Sequence, residues 1–170
     1  MKDICIKLKN QEYNLSKCIG HLFSCGSDEK RNASAKMAFE QLKMQDGFEL
    51  LFFSAEPSNY GCAEVQKITE EAFVGVEAEM QHRFDTIIGS MSRNYIEHNE
   101  KKPDEKIKNI IVIIDGIDTL EKTKETTKFK EDVMFVAQRC RATGIAIILF
   151  VNKKSRAKLY HQFPIQEKIK

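Results

Sequence analysis

The chain has 170 residues, 42% of them hydrophobic and 31% charged, with a formal net charge of +2. That length makes one domain with a sizeable core, and the near balance of charge argues against a dedicated nucleic-acid binder, which carries a basic excess. No apolar run nears the roughly 20 residues that cross a bilayer, and Met1 to Asn10 alternates polar and apolar residues rather than forming a signal peptide. The five cysteines, Cys5, Cys18, Cys25, Cys62 and Cys140, are odd in number and scattered, with no CxxC pair. A disulfide framework or zinc site is therefore not expected. A reducing cytosol is the natural setting, with each Cys a buried thiol.

In chain order, Ile4, Ile6 and Leu8 alternate with polar residues and predict a short edge strand. Gln11 to Ser16 reads as a turn and Ile19 to Cys25 as a second strand, followed by a polar loop over Gly26 to Asn32. Ala33 to Met44 fits a helix capped by Asn32 or Ser34 and ended by Gly47. Phe48 to Ser54 is an apolar run and hence a buried strand. From Ala63 to Asn99, apolar residues recur every three or four places (Val65, Ile68, Ala72, Val76, Met80, Phe84, Ile87, Ile88, Met91, Tyr95), which predicts one long helix weakened at Gly75 and Gly89. Asn99 to Lys108 is a charged linker. Asn109 to Asp115 is a strand, and Thr119 to Lys130 a mobile loop or a frayed helix start. Asp132 to Thr143 is a helix stopped by Gly144, and Ile145 to Val151 is the most apolar strand. Residues 153–170 read as a basic tail. Strand and helix alternate as in a mainly parallel α/β sheet.

The stretch Ile110-Ile111-Val112-Ile113-Ile114-Asp115 is the most informative. Five branched apolar residues without alternation suit a strand buried on both faces. An acid at its end sits at the sheet's carboxyl edge, where open α/β folds bind ligands. In P-loop NTPases an Asp at this place, the Walker B Asp, holds the nucleotide's Mg²⁺. Other features read as structural. Glu79 and Arg83 form an i, i+4 helix pair. His82 and His98 have no metal-ligand partners nearby. Met37, Met44, Met80, Met91 and Met134 fill the core.

Four segments resemble the FtsK/SpoIIIE family of P-loop motor ATPases. Glu79-Met80-Gln81-His82-Arg83-Phe84 is similar to its Glu-Met-x-x-Arg-Tyr helix, and Arg93-Asn94-Tyr95-Ile96-Glu97-His98-Asn99 to its Arg-Asn-Ile-x-x-Tyr-Asn segment. Residues 110–120 resemble its apolar strand with Asp-Glu-x-x-Asp-Leu, and residues 139–149 its Arg-Ala-x-Gly-Ile-His strand. The four keep the family's order over most of residues 20–152. The resemblance implies a RecA-like P-loop NTPase fold, a mainly parallel sheet flanked by helices, in a single domain over 1–170 that is a module of a larger protein.

The departures bear on activity. A working P-loop reads Gly-x-x-x-x-Gly-Lys-Ser/Thr, in which backbone, Lys and hydroxyl hold phosphate and Mg²⁺. With Gly26 as the first Gly, Arg31, Asn32 and Ala33 stand where Gly, Lys and Ser are needed. Asp28 and Glu29 put carboxylates where a triphosphate would lie; a one-residue gap brings Ser34 to the hydroxyl place. Gly116 stands where the resemblance implies a water-activating Glu, and Asp118 and Glu121 are weak substitutes. Val151-Asn152 replaces a γ-phosphate-sensing Thr-Gln.

The candidate site is thus Asp115 with a degenerate nucleotide-binding set of Gly26, Ser27, Lys30, Arg31, Asn32, Ser34 and Asn152. Arg141 is a candidate inter-subunit residue, and no metal site is expected. The defects in phosphate binding and in water activation are independent at this level. The resemblance is strongest to degenerate C-terminal modules of EssC/EccC-type type VII secretion ATPases. It implies little or no ATP hydrolysis and no required cofactor, with residual ATP/Mg²⁺ binding left open. It implies a docking or regulatory role toward neighbouring ATPase modules and secreted protein substrates, on the long helix or the basic tail. A homo-oligomer is compatible with it, as is a cytoplasmic place at the membrane face, reached only through the parent protein. The alternative is an active ATP-driven translocase of DNA or protein.

Overall fold

A computed structural model describes residues 3–152, 163 and 165–169. Two strands, β1 (Cys5–Leu8) and β2 (Gln11–Asn14), form an antiparallel hairpin apart from the main sheet. The chain continues through β3 (His21–Cys25), α1 (Asp28–Lys43), β4 (Phe48–Ser54), a short 3-10 turn (Pro57–Tyr60) and β5 (Val65–Lys67). It ends with α2 (Glu70–Gly89), α3 (Tyr95–Lys101), β6 (Asn109–Asp115), α4 (Lys124–Thr143), β7 (Ile145–Asn152) and β8 (Ile165–Ile169). The six-stranded sheet runs β5-β4-β6-β7-β3-β8, and every pair in it is parallel. Numbered from β3 as 1, with β4, β6, β7 and β8 as 2 to 5, the order is 5-1-4-3-2 plus the extra edge strand β5. The strand ending in Asp115 is therefore separated from β3 by β7 alone.

The unbroken apolar runs have a simple cause, because alternate side chains feed two cores. Ile110, Val112 and Ile114 of β6, with Ile145, Ile147 and Leu149 of β7, pack under α2 and α4. Ile111, Ile113, Ala146, Ile148 and Phe150 pack with α1 and the β1–β2 hairpin. A strand covered on both faces has no polar side to show.

Several local expectations are corrected. The stretch Gln11–Ser16 is mostly strand, not turn. Its polar residues hide this, because β1 is satisfied from the far side by α1: Gln41 bonds the N–H and C=O of Lys7 (2.7 and 2.8 Å), and Gln45 those of Cys5 (3.2 and 2.7 Å). Two amide side chains thus stand in for a neighbouring strand. The 63–99 pattern is β5, α2 and α3, not one helix. α2 ends at Gly89, Met91 takes a left-handed φ of 52°, and Asn94 caps α3 through the N–H groups of Ile96 and Glu97, both at 3.0 Å. The polar stretch from Thr119 includes the start of α4, held by a Thr123–Thr126 capping box and by Phe129 packed edge-on to Phe73. Met80 and Met134 are buried as expected, but Met37, Met44 and Met91 are exposed. The buried stripe of α1 runs through Ala35, Ala38, Phe39 and Leu42, which turns Met37 outward. Cys18, Cys25 and Cys140 are buried, Cys5 and Cys62 only partly, and all five are free thiols. Arg83, paired with Glu79 (2.7 Å), also bonds the carbonyls of Lys108 and Thr143 (2.8 and 3.0 Å), so it ties the entries of β6 and β7 together. The run 153–158 lies outside the described residues; within the stretch read as a tail, residues 165–169 form β8 beside β3.

His21, at the start of β3, packs against Tyr13 and Phe23 with neither ring nitrogen bonded among the described residues. Burial pulls its pKa down from 6.5 to about 4. The unfolded chain takes up this proton as pH falls through 6.5, while the folded chain refuses it until about pH 4. Stability should therefore decline across that window, by roughly 3 kcal/mol in all. His21→Phe should flatten this part of the curve in urea melts at pH 7, 6 and 5. An unchanged slope would remove His21 as its cause.

Candidate functional site

The carboxyl ends of β6, β7 and β3 meet at one edge of the sheet, and the first turn of α1 crosses it. Only Gly26 and Ser27 separate β3 from α1. Ser27 is the N-cap, its side chain accepting from the Lys30 N–H at 3.4 Å, with Asp28 and Glu29 acidic in the first turn. The expected loop over residues 26–32 is thus mostly helix, beginning five residues before the expected start at Ala33.

Arg31, in that first turn, is 1% exposed. Its Nε donates to Asp115 Oδ1 at 2.8 Å, one Nη pairs with Asp28, and the other donates to Asn32 Oδ1 at 3.1 Å. The carboxylate at the end of β6 therefore holds a guanidinium of its own chain. Ser54 of β4 donates to Asp115 Oδ2 at 3.4 Å. A second set of bonds closes the edge: Asn152 donates from its side chain to Asp28 Oδ1 and from its backbone to Asp118 Oδ2, both at 2.8 Å.

Burial lowers the Arg31 pKa, but the charges and hydrogen bonds of Asp115 and Asp28 outweigh it and hold the guanidinium charged. Burial raises Asp115, with Arg31 pulling it back. Asp118 is likewise raised by burial. Asp28 is lowered, chiefly by the Asn152 hydrogen bond. The Tyr60 hydroxyl is buried beside Asp115 and Ser54, and burial together with the Asp115 charge pushes its pKa far up.

Gly116 has φ +73°, and a Cβ there would lie 3.1 Å from an Arg31 Nη and 3.2 Å from the Ala55 Cβ. A Glu at 116 would be strained in backbone and would push on the guanidinium. The glycine at 116 and the Arg31 guanidinium thus fit together as one steric arrangement.

Of the sequence-derived set, Asp115, Arg31, Asn32 and Asn152 converge. Gly26 and Lys30 are exposed, and Ser27 serves as a cap. Ser34 donates to the Lys30 carbonyl at 2.7 Å. Arg141 lies near the end of α4, at the opposite edge of the sheet from Asp115. Glu121 is exposed, and its carbonyl accepts from Thr126. Sequence reasoning missed Ser54, Tyr60 and the favourable role of Asp28. The Ser27-Asp28-Glu29 run is an N-cap signature that places Asp28 and Arg31 one turn apart. Tyr60 carries no such signal. Among the described residues no cluster of three or more His, Cys, Asp or Glu side chains could hold a metal, and no helix is long and apolar enough to cross a membrane.

No family model and no curated protein matches the chain. Solved structures do. The conjugation coupling protein TcpA of pCW3, in a monomer form with ATPgS, superimposes with a TM-score of 0.74 at 22% identity, over 98% of this chain and 53% of that one. EssC (ATPases 2 and 3) from Geobacillus thermodenitrificans gives 0.71 at 16%, over 94% and 33%. The cytoplasmic domain of the type VII secretion ATPase EccC from Thermomonospora curvata gives 0.71 at 10%, over 98% and 23%. The chain shares the α/β fold of these P-loop ATPase domains. The chain spans about half of the TcpA chain and a quarter to a third of the EssC and EccC chains.

The Arg31–Asp115 pair should behave as a buried ion pair. Arg31→Leu or Asp115→Leu alone should cost about 3–5 kcal/mol, since each strands a buried charge, while the double variant should lie within about 2 kcal/mol of the parent. Urea unfolding of all four proteins gives the coupling; additive losses would show that the pair is not a unit.

Proposed function

We propose that this chain is a degenerate FtsK/SpoIIIE-type module with little or no ATP hydrolysis, acting as a docking or regulatory domain of a type VII secretion ATPase. The observation that carries this reading is the Arg31 guanidinium on Asp115. A bound Mg·ATP needs that carboxylate for its metal and the first turn of α1 unwound for its phosphates. Here the carboxylate is neutralised and the turn is helical, with Asp28 bonded to both Arg31 and Asn152. Asp28 and Glu29 oppose a triphosphate electrostatically. Gly116 supplies no group to orient water.

The partners suggested by the fold's relatives are neighbouring ATPase modules and secreted substrates. EssC and EccC carry several ATPases in one chain, and the EccC ATPases 2 and 3 have been solved with a signal sequence peptide. On this reading the chain works inside a larger protein at the cytoplasmic face of a membrane, reaching the lipid only through that parent. The competing reading, an ATP-driven translocase of DNA or protein, requires Arg31 to leave Asp115 and α1 to lose its first turn on nucleotide binding.

Calorimetric titration with Mg·ATP separates the two. The wild-type chain should show no saturable binding below millimolar nucleotide and no phosphate release. The variant Arg31→Gly/Asn32→Lys/Ala33→Ser, which restores Gly-x-x-x-x-Gly-Lys-Ser and frees Asp115, should gain binding by at least about tenfold. Micromolar binding and turnover by the wild type, lost in Asp115→Ala, would establish the translocase instead.

A further inference from the structure

At the edge of the sheet opposite Asp115 lies a groove of about 840 Å³, floored by Phe84 of α2 and Ile96 of α3. It draws on five segments: Asp3 before β1, the loop after β2, the last turns of α2, the start of α3 and the last turns of α4. Four cations line it, Lys17, Arg93, Arg139 and Arg141, against the single acid Asp3. Over the whole chain, 27 basic residues face 25 acidic ones, so this local excess is not a composition effect. Arg93 is paired with Glu97 at 2.8 Å, and the Arg139 guanidinium lies 4.0 Å over the Phe135 ring. The side chains of Lys17 and Arg141, both exposed, make no ion pair or hydrogen bond among the described residues. Ile96 is about half exposed. Some of this charge offsets the carbonyl end of α4, but Lys17 and Arg93 stand on other elements.

We infer that this groove binds an acidic protein segment carrying an apolar anchor residue, the anchor against Phe84 and Ile96 and the carboxylates on Lys17 and Arg141. This deepens the docking role proposed above and rests on it. Nucleic acid fits less well, because single-strand binders offer stacking faces. Here the Tyr95 ring is buried with its hydroxyl on the Ser16 carbonyl at 3.1 Å, and the Phe135 face is covered by Arg139. The eight residues of β7 separate the groove from the Asp115 edge by roughly 25 Å at about 3.3 Å per residue. Nucleotide binding at one edge and peptide binding at the other are therefore separate measurements.

The test uses fluorescence anisotropy of the intact chain with a labelled octapeptide of alternating Glu and Leu, its Gln/Leu counterpart and a single-stranded DNA oligonucleotide. The Glu/Leu peptide should bind best, at least about tenfold tighter than the Gln/Leu peptide, and should weaken as salt rises. Lys17→Glu/Arg141→Glu should lower its affinity at least tenfold, while amide shifts in the wild-type complex should cluster at the end of α4 and the start of α3. Both positions are exposed and unpaired, so the variant should keep its fold; Arg141→Gln gives a milder second check. Unchanged affinity in the variants, shifts at the Asp115 edge, or DNA bound as tightly as the acidic peptide would each overturn the inference. Tight Mg·ATP binding would refute the closed pocket and leave the groove standing, whereas loss of the charge dependence would refute the groove alone.

Discussion

A guanidinium buried to 1% exposure must be paired, because an isolated charge in a protein interior costs several kcal/mol. In this chain the partner is Asp115, the carboxylate at the end of the central strand, and most of the site follows from that pairing. Holding Arg31 on Asp115 requires α1 to begin at Asp28, so that the side chain leaves the first turn toward the sheet. It requires Gly at 116, where a Cβ would press on the guanidinium. It also draws Asp28 and Asn152 into the same network, which ties the first turn of α1 to the carboxyl ends of β6 and β7.

The surrounding fold makes this edge available. Strands β6 and β7 are buried on both faces, and their alternate residues serve two cores. A sheet so covered exposes its strand ends rather than its faces, so chemistry and recognition concentrate at the two edges. One edge is occupied by the molecule's own ion pair. The other gathers a cationic groove from segments that only the crossovers bring together. The two edges thus differ in charge and in how far their side chains are paired within the chain, as expected where sites are carried on a common fold.

The legibility of the sequence varied with physical cause. The buried strands were clear because double burial leaves an uninterrupted apolar run, as in Ile110 to Ile114. The Gly144 stop of α4 was clear because its φ of +76° suits glycine. The β1–β2 hairpin was obscured because its backbone is satisfied by the Gln41 and Gln45 side chains, which no local pattern announces. The division of residues 63–99 was obscured because helical spacing runs through β5 and past Gly89 while the Asn94 cap restarts the helix. The start of α1 was misplaced because Asp28 and Glu29 read as obstacles to phosphate rather than as the acidic first turn of a helix.

The one-dimensional pattern determined the α/β class, the mainly parallel sheet and the place of Asp115 at a strand end, because periodicity and strand-end acidity are local properties. Only the tertiary structure decided what stands beside Asp115 at the end of β6. Arg31 and Asp115 are 84 residues apart, and nothing short of the packed sheet brings them within hydrogen-bonding distance. The same holds for the coupling of Gly116 to Arg31 and for the opposite groove, since each is a relation between distant segments that is set by the crossovers.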